Sequence, residues 1–139
     1  MHAKYVQKNV CSNHFYVRKN VRCIMERLVL QRFKEWKERK DRKPLIVNGA
    51  RQVGKTWALR EFAKREYAKE AYIICRKNEL GEQVFKQDFN VERIIVSLSA
   101  IIHVDIPPGD TLILLDEVQE IPEAIEALKY FCENAPEYH

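Results

Sequence analysis

Apolar positions along the chain follow two periods, and together they predict an α/β fold. Steps of three and four residues predict amphipathic helices over residues 22–40, 56–68, 79–85, 91–99 and from Pro122 onward. Short aliphatic runs predict buried strands over residues 44–48, 71–76 and 111–116. Strands that alternate with helices indicate a parallel sheet with flanking helices.

Length and composition favour one domain preceded by an arm. The chain has 139 residues, of which 46% are hydrophobic, enough for a buried core. Residues 1–22 lack a steady period and are predicted to form a basic, poorly ordered arm before the domain at 23–139. We see no secretory signal, no bilayer-length apolar run and no Cys-x-x-Cys pair. We therefore expect a cytoplasmic protein in a reducing compartment, without a membrane role.

Charge is unevenly distributed along the chain. Residues 1–43 hold 13 of the 24 Lys and Arg residues but only four of the 20 Asp and Glu residues, a net charge of +9. Residues 44–139 carry a net charge of −5. A basic leading segment is compatible with nucleic acid or another acidic partner, but also with a solvated helix face. Because no nucleic-acid-reading motif accompanies the charge, we favour the solvated face.

A phosphate-binding loop is predicted between the first strand and the following helix. The pattern G-x-x-x-x-G-K-[ST] (Walker A) is matched by Gly49, Ala50, Arg51, Gln52, Val53, Gly54, Lys55 and Thr56. The glycines allow backbone amides to point at phosphate, and the helix adds its positive end. Lys55 would reach the β- and γ-phosphates, and the Thr56 hydroxyl would bind Mg²⁺. A chance match is disfavoured by the flanking strand and helix.

Other side chains of this loop have two interpretations each. Arg51 and Gln52 would either touch phosphate or remain solvated, because the loop backbone does most of the binding. Trp57 directly follows the motif and would either stack near the nucleotide or pack against the sheet. We include Trp57 among the candidate nucleotide-binding residues.

Two carboxylates end the third predicted strand. The aliphatic run at 111–115 is followed by Asp116 and Glu117, a Walker B pattern. Carboxyl ends of parallel strands meet at one sheet edge, so Asp116 should approach the phosphate-binding loop and hold Mg²⁺. Glu117 would then orient or deprotonate a water that attacks the γ-phosphate. The alternative is a solvated acidic turn, which the upstream loop disfavours.

The expected substrate is ATP with Mg²⁺. No Asn-Lys-x-Asp element for guanine recognition is present. Adjacent carboxylates at the strand end favour hydrolysis by water over transfer to a small acceptor. ATP hydrolysis therefore ranks above GTP hydrolysis and nucleotide kinase activity.

Residues 23–139 resemble a family of prokaryotic AAA-type P-loop ATPases. The resemblance rests on residues 42–57, 111–119, 127–131 and 135–139, so it extends beyond the two nucleotide motifs. It implies a P-loop NTPase-type parallel sheet, incomplete at the C-terminus, and an ATPase whose catalytic residues are Lys55 and Glu117. Family members usually continue into further strands, a helical lid and a C-terminal domain of unknown function. Similar ATPases often form rings, which implies self-association or a partner protein.

Two departures from the family pattern affect the expected activity. The second strand ends in residues 73–76, Ile-Ile-Cys-Arg, where the family usually has an asparagine–phenylalanine–glutamate-like sequence. The sequence also ends at His139, where the resemblance places the start of a further strand. In similar ATPases that strand lies between the strand before the phosphate-binding loop and the strand that ends in the two carboxylates. A gap there, without the arginine finger and lid, predicts weak turnover by this chain alone.

The sequence is therefore compatible with two functions. The first is an Mg²⁺-dependent ATPase core that couples nucleotide state to a conformational change. The second is a non-catalytic nucleotide-binding or interaction module whose basic N-terminal segment binds nucleic acid or a protein.

Overall fold

The computed structural model describes residues 28–50 and 52–139. The predicted arm at 1–22 and the start of the first predicted helix lie outside these residues. The elements in chain order are α1 (28–37), α2 (Lys55–Glu66), β1 (Lys69–Ile74), α3 (Glu79–Gln87), α4 (Val91–Ile102), β2 (Thr111–Asp116), a 3₁₀ turn (Val118–Glu120) and α5 (Pro122–Asn134). The α/β prediction is confirmed. No helix within the described ranges is both long and apolar enough to cross a membrane.

Helix starts follow local sequence signals. The Asn78 side chain accepts a hydrogen bond from the Gly81 amide at the start of α3, and Asn90 accepts one from Arg93 at the start of α4. These side-chain caps satisfy amides that have no partner within the helix. Pro122 occupies the first turn of α5, where its missing N–H costs no helical hydrogen bond.

The two strands form a parallel pair. β1 and β2 are direct neighbours, with Lys69 opposite Thr111 and Ile74 opposite Asp116. β2 has its predicted bounds, whereas β1 begins and ends two residues earlier than predicted. The Lys69 amide donates to the Asp110 carbonyl at 3.1 Å, which anchors β1 earlier in the ladder. Arg76 consequently lies beyond the strand end.

Each face of the sheet packs against a separate apolar cluster. On one face, Leu112 and Leu114 of β2 contact Phe62 and Ala63 of α2 and Phe33 of α1. On the other face, β1 packs against α3, α4 and α5 through a larger cluster, which includes Ala71, Ile73, Phe85, Ile94, Leu98 and Ala127. Because side chains alternate along a strand, Asp116 lies on the face that carries α2.

The prediction of a buried strand at 44–48 is wrong. This segment has no regular secondary structure, and Leu45 and Ile46 are 39% and 59% exposed. A cavity of about 980 Å³ lies between the segment and β2. Among the described residues, the segment therefore has no neighbouring backbone edge with which to pair.

The last residues of the chain run beside the edge of β2 that is not paired with β1. The Gly109 amide donates to the Glu137 carbonyl at 3.0 Å, and the Ile113 amide donates to the His139 carbonyl at 2.8 Å. The His139 ring also packs edge-on against Tyr67 and Trp36, and its Nδ1 lies 2.8 Å from the Tyr67 hydroxyl. These contacts connect the chain end to β2, α1 and the C-terminal end of α2.

We predict that His139 makes stability depend on pH. Burial, with Arg42 and Lys37 nearby, lowers the pKa of His139 from 6.5 to about 4. Between these pH values the unfolded chain binds the proton and the folded chain does not, so stability falls as pH falls. After allowance for solvent screening, we expect the free energy of unfolding to be about 1 kcal/mol lower at pH 5 than at pH 7 through this group.

Denaturant unfolding at both pH values would check this prediction. The matched variant is His139→Gln, which keeps a polar side chain near Tyr67 but cannot titrate. Its unfolding free energy should change less with pH than that of the wild type. Equal pH dependence in both proteins would contradict the assignment.

Candidate functional site

The loop before α2 has a backbone conformation suited to binding an anion. Gly54 has φ +86°, which favours glycine, and Gln52 also has a positive φ of 63°. Gly49 differs from the expectation, because its φ is not positive and an added Cβ would meet only ordinary contacts at 3.7 Å. Arg51 lies outside the described residues. Among the loop residues described, conformational freedom is therefore required at Gly54 and not at Gly49.

The start of α2 offers unpaired backbone donors and positive potential. No side chain of the described residues caps this helix, and its first turn contains no acidic residue. The amides of Lys55, Thr56 and Trp57 therefore have no acceptor from within the helix. The helix dipole adds partial positive charge at the same end, so the arrangement suits a phosphate group.

Lys55 folds across the loop. Its Nζ donates hydrogen bonds of 2.7 Å to the carbonyls of both Gly49 and Ala50. A lysine ammonium has three protons, so one remains for an external acceptor. These bonds hold the positive charge over the loop, where it would meet phosphate oxygens.

Asp116 lies at the point where the loop and β2 meet. Its Oδ2 accepts hydrogen bonds from the Thr56 hydroxyl at 3.2 Å and the Tyr72 hydroxyl at 2.5 Å. Its Oδ1 accepts one from the Glu117 amide at 3.0 Å. The two residues predicted to hold Mg²⁺ are thus in direct contact although they are 60 positions apart in the sequence.

Oxygen donors of this type fit a magnesium ion. Mg²⁺ prefers oxygen ligands and is usually held by one or two protein side chains together with phosphate oxygens and water. The Thr56 hydroxyl and the Asp116 carboxylate supply such oxygens beside the loop. Within the described residues, no group of three or more His, Cys, Asp and Glu side chains could hold a metal by itself. The fit is therefore to an ion shared with a nucleotide.

Glu117 follows β2 in an unusual backbone conformation. Its φ of 53° and ψ of 42° are left-handed, which costs a residue with a Cβ about 1 kcal/mol or more. The side chain is exposed, and its Oε2 lies 3.9 Å from Arg76 Nε. Backbone strain of this kind is enriched at functional sites. The turn directs the chain away from β2 and leaves the carboxylate accessible to solvent.

The loop and the carboxylates share one cavity. Gly49, Lys55, Thr56, Asp116 and Glu117 all line the cavity of about 980 Å³ that separates residues 44–48 from β2. Gln52 lines it as well. Trp57 does not line this cavity and is 46% exposed, so it is neither buried against the sheet nor directed into the shared space.

The basic residues of α1 have partners within the chain. Lys34 and Lys37 lie 4.0 Å and 3.6 Å from carboxylate oxygens of Glu66. Lys37 also sits over the ring of Tyr67, 4.3 Å from its centre. Lys34 is 57% exposed, as expected for a solvated helix face, whereas Lys37 is only 25% exposed because it packs on α2.

Two residues beside the carboxylates were not predicted from the sequence as part of the site. Tyr72 contacts Asp116, and burial together with this hydrogen bond raises the pKa of Tyr72 to about 12, so its hydroxyl remains a donor. Arg76 lies beside Glu117. For Tyr72, the signal in the sequence was a polar hydroxyl two positions before the end of an apolar strand. The position of Arg76 beside Glu117 depends on the pairing of β1 with β2, which the sequence does not reveal.

Comparisons with known proteins place these features in a family. A family profile described as AAA domain matches residues 41–139, which is most of the chain. No curated protein and no solved structure matches the chain significantly. The matched range contains the loop, both strands and both carboxylates. The chain therefore belongs to the AAA domain family.

Proposed function

We propose that this chain binds ATP with Mg²⁺ and hydrolyses it, and that nucleotide state changes its conformation. The observation that carries the proposal is the 3.2 Å hydrogen bond between Thr56 and Asp116. It joins the phosphate-binding loop to the carboxylates of β2, the two parts that phosphoryl transfer requires.

Each residue would have a defined role. The α2 amides and Lys55 would bind the phosphates, with Lys55 keeping its carbonyl bonds to Gly49 and Ala50 in part. Thr56 and Asp116 would hold Mg²⁺, which supplies charge neutralisation at the β- and γ-phosphates. Glu117 would orient a water and accept its proton. Positioning and electrostatic stabilisation would account for most of the rate.

Turnover by this chain is expected to be slow. Residues 44–48 pair with neither strand, so the N-terminal side of the loop is held less firmly than its C-terminal side, where α2 packs on the sheet. A shift of about 1 Å in a positioned group costs as much as about 100-fold in rate. Binding tolerates such movement better than catalysis does.

The alternative is nucleotide or nucleic-acid binding without catalysis. It would use the basic segment that precedes the loop. The ion pairs between α1 and Glu66 give it less support, because Lys34 and Lys37 already have an acidic partner. Replacement of Glu117 distinguishes the two proposals, because only ATP hydrolysis requires its carboxylate.

Calorimetric titration with ATP, in the presence of Mg²⁺ and in EDTA, tests the proposal. We expect Mg²⁺ to tighten ATP binding by about tenfold or more, because Thr56 and Asp116 contribute only when the ion is present. GTP serves as the comparison nucleotide and should bind more weakly. Equal ATP affinity in Mg²⁺ and EDTA would contradict a role for these two residues in holding the ion.

A further inference from the structure

We infer that Tyr72 is a positioning residue for the magnesium ion of a bound nucleotide, acting through Asp116. Its hydroxyl fixes the Asp116 carboxylate so that Oδ1, not Oδ2, faces the ion. This inference rests on the proposed function, which it deepens by naming a residue outside both nucleotide motifs.

The hydrogen bonds at Asp116 determine which oxygen is available. An ionised carboxylate has about four lone-pair positions, two on each oxygen. On Oδ2 both are used, by Tyr72 at 2.5 Å and Thr56 at 3.2 Å. On Oδ1 the described residues use one, through the Glu117 amide at 3.0 Å. The remaining lone pair on Oδ1 is the position that can face Mg²⁺ or its water shell.

Tyr72 is held rigidly enough to impose this orientation. It lies inside β1, two positions before Ile74, the ladder partner of Asp116, and so shares a sheet face with Asp116. The Arg60 guanidinium sits over its ring, 5.0 Å from the ring centre. Arg60 Nε in turn donates to Glu70 Oε1 at 2.8 Å. The phenol is thus fixed by a strand, a cation and an ion pair.

The Thr56 hydroxyl cannot fix the carboxylate alone. Its bond to Oδ2 is longer than that of Tyr72, and Thr56 must also direct an oxygen lone pair towards Mg²⁺. Without the phenol, the carboxylate can rotate about its last torsion, which is a soft one. We expect the loss of such an outer partner to weaken Mg²⁺ binding by about tenfold or more.

The test is the variant Tyr72→Phe, which keeps the ring under Arg60 and removes only the hydroxyl. The matched control is Tyr67→Phe. Tyr67 also combines a hydroxyl contact at 2.8 Å, to His139, with a cation over its ring, Lys37 at 4.3 Å, but it does not touch Asp116. For each full-length protein, thermal unfolding, ATP affinity in EDTA and Mg²⁺ affinity of the ATP complex would be measured.

We expect Tyr72→Phe to weaken Mg²⁺ affinity by about tenfold and to leave ATP affinity in EDTA unchanged. Tyr67→Phe should change neither affinity. Wild-type Mg²⁺ affinity in Tyr72→Phe, or tighter binding, would overturn the inference while the proposed function stands. Failure of the wild type to bind ATP in a Mg²⁺-dependent manner would overturn both.

A double-mutant cycle with Asp116→Asn separates positioning from a general structural effect. If Tyr72 acts through Asp116, Tyr72→Phe should have little further effect on Mg²⁺ affinity when Asp116 is already replaced. Additive losses in the double variant would overturn the inference, because they would show that Tyr72 acts by another route.

Discussion

Replacement of Lys55 by alanine is expected to weaken ATP binding by about 100-fold. Lys55 Nζ donates to the carbonyls of Gly49 and Ala50 and is held above the loop with one proton free. A hydrogen bond that involves a charged group contributes about 1.5–3 kcal/mol. With one of its two carbonyl bonds exchanged for phosphate, the ammonium makes two such bonds to the nucleotide. Together they amount to about 3 kcal/mol or more, and each 1.4 kcal/mol changes the affinity tenfold.

Calorimetry with Mg²⁺ and ATP would measure this loss, with Lys64→Ala as the matched control. Lys64 is an exposed lysine in the last turn of the same helix, so its replacement removes the same charge and leaves the loop intact. Its affinity should stay within about twofold of the wild type. Similar losses in both variants would indicate that only the overall charge matters and would contradict specific phosphate binding.

Stability measurements distinguish a lost ligand contact from a disturbed loop. Lys55→Ala also removes the two carbonyl bonds that close the loop. Because the loop is at the surface, we expect little change in the free energy of unfolding without nucleotide. A large loss of stability would mean that the lysine supports the fold itself, and the affinity loss could not be assigned to phosphate.

Local sequence signals sufficed for much of the fold. β2 has its predicted bounds because the almost entirely aliphatic run between Asp110 and Asp116 is typical of a strand that is covered on both faces. α5 begins at Pro122 as predicted, because proline, which has no N–H, is tolerated in a helix only in the first turn. The proximity of Thr56 and Asp116 followed from the rule that carboxyl ends of parallel strands share an edge.

Features that depend on distant partners could not be predicted in this way. Residues 44–48 have strand-like composition, but a strand forms only against a neighbouring backbone edge, and the segment faces a cavity. β1 is shifted by two residues because its ladder begins opposite Thr111, which the composition of β1 does not reveal. The contact between Tyr72 and Asp116 depends on the same register.

Glu117 gives the clearest separation between an enzyme and a binding module. The Glu117 amide donates a hydrogen bond to Asp116 Oδ1, and Glu117 has a left-handed backbone. This bond and this turn hold Glu117 next to the carboxylate of Asp116, which would face Mg²⁺. Within residues 28–50 and 52–139, the carboxylate of Glu117 makes one long ion-pair contact, 3.9 Å to Arg76, and the residue is exposed. A weakly held, exposed carboxylate beside the phosphate-binding loop is suited to accept a proton from water.

We therefore expect Glu117→Gln to bind MgATP as tightly as the wild type, within about threefold, and to hydrolyse it at least about 100-fold more slowly. Glutamine keeps the size of the side chain but cannot act as a base, and general base catalysis contributes about 10²–10⁴-fold. Because turnover is expected to be slow, single-turnover release of labelled phosphate with excess protein is the suitable measurement. Lys55→Ala controls for contaminating hydrolysis.

The matched control is Glu126→Gln on α5, where an exposed glutamate loses the same charge away from the cavity. Its rate should equal that of the wild type. Wild-type hydrolysis by Glu117→Gln, with Lys55→Ala inactive, would remove Glu117 from the mechanism and leave the loop as the only supported part of the site. If the wild type binds MgATP but no protein hydrolyses it, the non-catalytic alternative would explain this chain better. The hydrogen bond between Thr56 and Asp116 would then serve nucleotide binding alone.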